Sequence, residues 1–500
     1  MIPEVIQTYT PLWACLSALA AVVPMLILRR ETALREGITF LAGFVMLGFV
    51  ISMVPEVLAG KVLECTLVQL TADVPIKFRV DGLGMLFALV ASSLWIVTSL
   101  YSVGYMRGLK EHSQTRFFVF FAVSLTATMG VAFAGNLLTL YLFYEMLSLA
   151  TWPLVTHHQD KEARGGGRKY LTYLLGTSVG FALPALIFCY VKASATGLEF
   201  SAAGFLAGTG IEGTAALVLL LLFTFGFSKA GLMPFHSWLP GAMVAPTPVS
   251  ALLHAVAVVK VGVFCIIRVF TGVFGLEFLK ELDIAIVISW VAAFTVITSS
   301  LIALTQDNLK RRLAFSTIGQ LAYIILGVSL LEDRAVMGSM THIAMHAVGK
   351  ITLFMCAGAI FVATGKKYVS QMDGLGRKMP LTFAAFTIGA LSVIGLPPTG
   401  GLISKFYLVT GAMDANQPWL VTVFLVSTLL NAAYLLPIGY RAFFPKDRQL
   451  SSQPFSWKST VEAPWACVLP LCVTSCLAML LFVKPQLLLK LASLMVSDAG

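Results

Sequence analysis

The sequence predicts an all-α membrane protein of about fourteen transmembrane helices, with two inverted five-helix repeats and breaks in helices seven and twelve. Its residues are 58% hydrophobic and only 12% charged, whereas soluble domains average about 25% charged. Short clusters of basic residues separate long apolar runs. The composition therefore excludes an ordinary soluble enzyme, and the net charge of +10 indicates membrane loops rather than a nucleic-acid partner.

Each apolar run is long enough to cross a bilayer as a helix, which takes about 17–25 residues. The first run lacks a basic leader and a clear small-residue cleavage site, so we expect a retained helix rather than a signal peptide. The predicted spans lie at about 11–28, 38–58, 82–105, 117–134, 136–155, 170–191, 215–233, 247–270, 283–305, 314–331, 338–363, 381–413, 418–440 and 464–483.

The basic residues predict how these spans are oriented. Twenty-one of the 34 Lys and Arg residues lie in loops after odd-numbered helices, and eight lie on the other side. Cytoplasmic loops carry the excess of positive charge. We therefore expect a multi-pass protein of the cell (inner) membrane, with both termini on the non-cytoplasmic side.

Two spans carry helix breakers at corresponding places. Pro234 interrupts helix seven, and Pro397 and Pro398 interrupt helix twelve. Unwound backbone at membrane depth is tolerated only inside protein or beside water, and paired breaks indicate a transporter's ion path, although a simple kink is the alternative. The breaks are separated by about as many residues as helices four and nine, so five-helix units repeat with inverted topology. The predicted segments are 1–116, a first repeat at 117–270, a second repeat at 283–440, and 464–500.

Five basic residues lie inside the predicted spans. Arg268 is near a helix end, where we expect it to snorkel toward the interface. The others are central, and a central lysine costs about 2.5–3.5 kcal/mol unless it is paired or hydrated. These central lysines are Lys229, Lys260, Lys350 and Lys405. A set of this size indicates function.

Glu145 is the one acid deep inside a predicted span. Burial and pairing shift the proton affinity of a carboxylate and a lysine in opposite directions, so such a pair can be poised between charged and neutral states. That property suits proton transfer. A structural salt bridge between two helices is the alternative.

Histidines accompany the lysines. His342 and His346 are spaced i, i+4 with Lys350 on helix eleven, which predicts one polar stripe and a proton relay; hydrogen-bonded structural histidines are the alternative. His254 and Lys260 are six residues apart, about 600° on a regular helix. Either they serve different contacts or the helix is distorted.

Several long motifs resemble one family. The runs are HSWLP at 236–240, APTPVSALLHA at 245–255, QDNLKRRLAFSTIGQ at 306–320, HAVGK at 346–350 and VDGL at 80–83. They resemble the antiporter-like membrane subunits shared by respiratory complex I, Mrp-type cation/proton antiporters and membrane-bound hydrogenases. The match covers nearly the whole chain.

The resemblance implies roles for individual residues. Glu145 and Lys229 resemble the family's gating ion pair, Lys260 and Lys350 its central relay lysines, and Lys405 its terminal proton-exchanging residue. The connecting or hydrating histidines by the same resemblance are His236, His254, His342 and His346.

The resemblance also suggests a subtype. The chain ends soon after helix fourteen, which disfavours the largest complex I paralogue and the A-type Mrp subunit. Lys405 at the helix-twelve position favours the D-type Mrp subunit or the N-type subunit of complex I over the M-type subunit. The runs NAAYLLP at 431–437 and YRAFF at 440–444 look closest to the D-type Mrp subunit or a D-like hydrogenase subunit. An N-type subunit of complex I or a hydrogenase subunit is the alternative. We expect other membrane subunits as partners, protons as cargo, and Na⁺ as an open possibility.

We expect no cofactor or metal. The eight cysteines form no C-x2-C pair, so the sequence predicts no disulfide framework, zinc site or iron–sulfur cluster. The residues indicate a transporter subunit without a catalytic centre of its own. The remaining alternatives are a redox-driven translocase subunit, a quinone-binding or redox-centre subunit, and a passive scaffold.

Overall fold

The computed structural model describes residues 4–70, 74–193, 198–445 and 460–497. Residues 1–3 and 498–500 of the predicted terminal segments lie outside it. The helices are α1 Thr10–Ile27, α2 Thr32–Leu58, α3 Gly82–Gly108, α4 Gln114–Ala132, α5 Leu137–Val155, α6 Lys161–Lys192, α7a Gly213–Gly226, α7b Trp238–Gly241, α8 Thr247–Phe274, α9 Ala285–Thr305, α10 Leu309–Ser329, α11 Asp333–Thr364, α12a Pro380–Ile394, α12b Gly401–Asp414, α13 Pro418–Phe443, α14 Trp465–Val483 and α15 Gln486–Ser497.

The described helices confirm the predicted membrane fold. Twelve of them are long and apolar enough to cross a bilayer. The predicted seventh and twelfth spans are the two that are divided, with α7a and α7b on either side of Pro234 and with α12a and α12b on either side of Pro397 and Pro398. The sequence therefore located both breaks. Most span boundaries agree within a few residues.

Polar caps fix where several helices begin. The side chains of Asp81, Asn136, Asp160 and Asn308 each accept a hydrogen bond from a backbone N–H three residues later. Such a cap satisfies one of the N–H groups that a helix start leaves without an internal partner. Because Asp160 caps α6, that helix begins at Lys161, well before the apolar run at 170.

A small sheet lies on the side of the even-numbered loops, and sequence reasoning missed it. Strand β1 (Val5–Gln7) pairs parallel to β2 (Val62–Gln69), which pairs antiparallel to β3 (Pro75–Val80). The Lys77 ammonium lies 2.9 Å from a carboxylate oxygen of Glu64 and 3.1 Å from one of Glu199. The strands thus carry an ion-pair network at the membrane surface.

The expectation that Arg268 snorkels to the interface is wrong. Its side chain is only 4% exposed and forms a two-point ion pair with Asp81, in which Nη2 lies 2.6 Å from Oδ1. The loop before α3 brings this carboxylate to the end of α8. Because the Arg268 guanidinium is paired with a carboxylate inside the protein, its side chain does not need to extend to water.

We predict that Arg268→Met destabilises the protein by about 3 kcal/mol, because it leaves Asp81 in a mostly buried site without its counter-ion. Lys280→Met is the matched control: that lysine pairs with Glu277 at the surface, and such pairs contribute about 0–1 kcal/mol. Thermal unfolding of the purified protein in detergent measures both. Equal losses would contradict a structural role for the buried pair.

Candidate functional site

Lys229 lies in the break of the seventh span. After α7a ends at Gly226, residues Ser228–Ala230 form a single 3₁₀ turn, and the Lys229 side chain is fully buried. Its ammonium donates to the Tyr144 carbonyl oxygen at 2.8 Å and to Ser148 Oγ at 2.6 Å. It also lies 3.0 Å from the centroid of the Tyr144 ring. Both partners belong to α5, the helix that carries Glu145.

Glu145 is separated from Lys229 in this structure. Neither of its carboxylate oxygens, both shielded from solvent, has a hydrogen-bond partner among the described residues. A charged carboxylate in that state is costly. The Glu145 carboxylate on α5 and the Lys229 ammonium in the break therefore do not form an ion pair in this structure.

The helix that carries His254 and Lys260 is distorted. Residues Leu253–Ala257 form a π-helical turn inside α8. Within the described chain, both ring nitrogens of His254 lack a partner, and the ring packs 6.1 Å from Trp238 and 6.4 Å from Tyr170. Lys260 turns instead toward α11. Both explanations of the irregular spacing hold: the helix is distorted and the two residues serve different contacts.

Lys260 joins the histidine stripe. Its Nζ lies 2.5 Å from His346 Nδ1. The rings of His346 and His342 stack with centroids 5.6 Å apart and planes inclined by 6°. His342 then reaches Ser404 Oγ at 2.8 Å and Gln320 Oε1 at 3.2 Å. The two histidines of the predicted stripe thus join one set of contacts between α8, α10, α11 and α12b, and Lys350, its third member, has separate partners.

Lys350 contacts α10 one helical turn away from Gln320, the partner of His342 on that helix. Its ammonium donates to Ser316 Oγ at 2.6 Å and to the Leu313 carbonyl oxygen at 3.2 Å. Tyr434 donates its hydroxyl to the same Ser316 oxygen at 2.7 Å. A lysine, a serine and a tyrosine from three helices therefore share one hydrogen-bond network.

Lys405 caps the break of the twelfth span. Its ammonium donates to the Ile394 carbonyl oxygen at 2.9 Å, at the end of α12a. The last carbonyl groups of a helix have no partner within the helix. Gly395 follows with φ +87°, a conformation that L side chains rarely adopt, and a Cβ there would lie 2.6 Å from Lys405 Cδ. The ammonium also lies 4.7 Å from the Tyr323 ring centroid, and Tyr323 stacks on His342 at 5.9 Å.

The two parts of the site meet where the first break packs on α8. A Cβ at Gly262, two residues after Lys260, would overlap the backbone nitrogen of Ala230. Only glycine allows this approach, so Gly262 sets the distance between the Lys229 turn and the Lys260 helix. His236 follows the break, its ring 6.3 Å from Phe315; its predicted relay role stays a prediction.

A cavity of about 780 Å³ opens beside this core on the side of the odd-numbered loops. Basic residues of its lining include Lys169, Lys310 and Lys367. Lys310 donates to the Ala245 carbonyl oxygen at 2.6 Å, in one of the family-like motifs. The cavity places water-accessible volume next to α8 and α10.

Sequence reasoning missed the neutral partners of the lysines. It singled out charges and histidines, whereas the structure adds hydroxyls and an amide that accept or donate beside them: Tyr144, Ser148, Ser316, Gln320, Tyr323, Ser404 and Tyr434. A signal was available for one of them, because Ser148 lies one helical turn after the intramembrane acid Glu145. The tyrosines on α10 and α13 come from distant sequence and provided none.

Two protein-family models match the chain. The model described as "NADH:quinone oxidoreductase/Mrp antiporter, TM" matches residues 134–431. The model described as "NADH-Ubiquinone oxidoreductase (complex I), chain 5 N-terminus" matches residues 68–118. The first match covers α5 to the middle of α13 and so includes every site lysine.

Curated relatives agree with these models. NADH-quinone oxidoreductase subunit N of Desulforudis audaxviator is 32% identical over 74% of this chain and 73% of its own length. The A-type subunit of the Na(+)/H(+) antiporter of Alkalihalophilus pseudofirmus is 34% identical over 68% of this chain and 43% of its own. The putative antiporter protein mnhA2 of Staphylococcus haemolyticus is 28% identical over 90% and 58%. The chain thus spans about half the length of these antiporter proteins.

Solved structures show the same fold. A chain of the archaeal membrane-bound sulfane sulfur reductase and a chain of the Mrp complex from Dietzia sp. each superpose with a TM-score of 0.85 at 22% identity. The alignments cover 98% of this chain and 98% and 97% of the others.

We predict that Gly262→Ala destabilises the protein by about 1–3 kcal/mol, because the added methyl group overlaps the backbone of the first break. Gly176→Ala is the matched control, since a Cβ there meets no atom within 4 Å. The difference between the two unfolding temperatures measures the effect. A Gly262→Ala protein as stable as the control would mean that the break does not depend on this contact.

Proposed function

Because the chain belongs to the membrane-subunit family shared by NADH:quinone oxidoreductase and Mrp antiporters, we propose that it translocates protons. In this proposal it is one component of a multisubunit Na⁺/H⁺ antiporter. The protons move along the buried residues Glu145, Lys229, Lys260, Lys350 and Lys405 and the histidines between them.

One observation carries the proposal: the central lysines all contact neutral acceptors. Lys229 and Lys405 donate to main-chain carbonyls, Lys350 to a carbonyl and a serine, and Lys260 contacts an imidazole. Such partners accept hydrogen bonds from an ammonium without neutralising it. A proton can therefore enter or leave a lysine without the cost of breaking a buried ion pair, which is about 3–5 kcal/mol.

We further propose that Glu145 and Lys229 alternate between a paired and a separated arrangement. The separation described above supports the second arrangement as one end state. When Lys229 leaves the acid, its charge acts on Lys260, because neighbouring like charges disfavour simultaneous protonation. A charge crossing the membrane potential is worth about 2.3 kcal/mol per 100 mV, which is comparable with such interactions.

The relatives support partner subunits as part of the same proposal. The antiporter relatives are named as subunits, and both structural neighbours are chains of membrane complexes. We propose other membrane subunits as partners and a non-cytoplasmic position for both termini. The antiporter relatives named above carry A-type names, so the assignment to the D-type Mrp subunit rests on Lys405 and on the runs at 431–437 and 440–444.

A redox-driven proton pump is the second candidate function. It is favoured by the 32% identity to an N-type oxidoreductase subunit, over 73% of that relative. The two candidates share the proton path and differ in what drives it. Co-purification separates them: hydrophilic redox subunits identify an NADH:quinone oxidoreductase or hydrogenase complex, and small membrane subunits alone identify an antiporter.

We expect Glu145→Gln and Lys229→Met each to lower proton transport by about 100-fold or more, the usual effect of losing a proton-transfer group. The measurement is the dye-reported pH change on Na⁺ addition in vesicles that contain the whole complex. Lys192→Met at the exposed end of α6 is the control. Full transport by a Lys350→Ala, Lys405→Ala double variant that still assembles would favour a passive scaffold.

Tyr434→Phe tests the network around Lys350 with a small change. The Tyr434 hydroxyl contacts both Ser316 Oγ and Asn431 Oδ1. Because each lost buried hydrogen bond costs about 1 kcal/mol, we expect transport to slow at least roughly fivefold, while the complex still assembles. Tyr440→Phe on the same helix is the matched control, since Tyr440 is 66% exposed. An identical rate in the two variants would remove Tyr434 from the path.

A further inference from the structure

Two loops on the side of the odd-numbered helices bring four metal-binding side chains together outside the proton path. Glu111 and His112 follow α3, and His157 and His158 follow α5. His158 Nε2 lies 3.2 Å from Glu111 Oε1. His157 Nε2 and His112 Nδ1 each lie 3.8 Å from Glu111 Oε2. One carboxylate is therefore surrounded by three imidazoles.

His157 is the unusual member of this group. Its side chain is fully buried, and neither ring nitrogen has a hydrogen-bond partner among the described residues. Buried polar atoms are nearly always satisfied, so an imidazole left in this way points to a ligand that it would hold.

We propose that Glu111, His112, His157 and His158 bind one Zn²⁺ ion. Three imidazoles and a carboxylate are a donor set that suits zinc in a four-coordinate site. Zn–N bonds of about 2.0–2.1 Å place tetrahedral donors roughly 3.4 Å apart. The donor atoms of Glu111, His112 and His157 already lie within 4.8 Å of one another. The proposal departs from the expectation of no metal, which rested on the cysteine spacing, because this donor set uses no cysteine.

The remaining adjustment falls on side chains that reach the surface. The His112 side chain is 51% exposed and that of His158 is 33% exposed, so both rings can turn toward a central ion. The rings of His112 and His157 already face each other with centroids 4.8 Å apart. A contraction of up to about 1.4 Å brings the donor atoms of Glu111, His112 and His157 to the spacing of tetrahedral donors. A turn of the partly exposed His158 ring adds the fourth donor without moving a helix.

Two side chains at the start of α4 hold the backbones of these two loops in place. Gln114 Nε2 donates to the Glu111 carbonyl oxygen at 3.2 Å, and Arg116 Nη2 donates to the His157 carbonyl oxygen at 2.8 Å. Both donors belong to α4. Both loops that carry the proposed ligands are therefore anchored to the start of one helix.

Glu111 and His158 also line the 780 Å³ cavity. An ion can therefore reach the site from the aqueous side. Once bound, it would tie the α3–α4 loop to the α5–α6 loop at the mouth of that cavity, away from Lys229 and the histidine stripe.

The test is a ZnCl₂ titration of the purified full-length chain, or of its complex, followed by calorimetry and by X-ray absorption at the zinc edge. We expect one tightly bound ion with nitrogen and oxygen ligands. Loss of a residue that only hydrogen-bonds to a metal ligand weakens metal binding about 10–100-fold. We therefore expect His112→Ala, His158→Ala and Glu111→Gln each to weaken binding by at least about 100-fold.

Glu162→Gln is the matched control, because Glu162 lines the same cavity and belongs to neither the cluster nor the proton path. It should bind zinc as the unchanged protein does. His112 and His158 are partly exposed, so their variants should fold, and an unchanged unfolding temperature without zinc verifies this. Absence of saturable binding, a sulfur-ligated ion, or equal affinity in His112→Ala, His158→Ala and the control would overturn the proposal.

Discussion

The need of each buried ammonium for an acceptor inside the protein shapes this structure. The hydrocarbon core of a membrane offers no water to a charge or to a free backbone group. A helix break creates free carbonyl oxygens, and a lysine supplies the donor that they lack. Lys405 donates to the last residue of α12a, and Lys229, itself in the break, donates to a carbonyl of α5. In the twelfth span the break and its lysine therefore stabilise each other, whereas in the seventh span the break holds its lysine against a neighbouring helix.

The choice of acceptor has a chemical consequence. A carboxylate would balance the charge of a lysine and favour its protonated state. Carbonyls, hydroxyls and imidazoles instead accept a hydrogen bond from a lysine in either protonation state. Among the described contacts of the four lysines, no carboxylate oxygen lies within hydrogen-bond distance. Asp81 and Arg268 show the opposite case on the same helix bundle: a matched pair that fixes α8 to the start of α3.

The sequence was sufficient for the parts of this fold that depend on one segment at a time. Apolar run length predicted the spans, and proline placed the breaks at Pro234 and Pro397. The i, i+4 spacing predicted that His342 and His346 share one face of helix eleven, where their rings stack. Contacts between distant segments were out of reach: nothing local pairs Arg268 with Asp81, joins Tyr434 to Ser316, or shows that a π turn includes His254. The sheet was missed because its three short strands lie among long apolar runs that dominate the pattern.

The two faces of the protein differ in a way that bears on proton movement. On the side of the even-numbered loops, the sheet and its ion pairs, with Lys77 between Glu64 and Glu199, close the ends of the helices. On the other side, a cavity of about 780 Å³ reaches Lys310 and the 245–247 motif. A protein that moves protons between compartments must not connect both sides to its relay groups at once, since a continuous aqueous path would dissipate the gradient. Of two polar pockets that the described residues form, the larger, of about 780 Å³, faces the loops that carry most of the positive charge, and the one beside Asp81 and Arg268 on the opposite side holds only about 60 Å³.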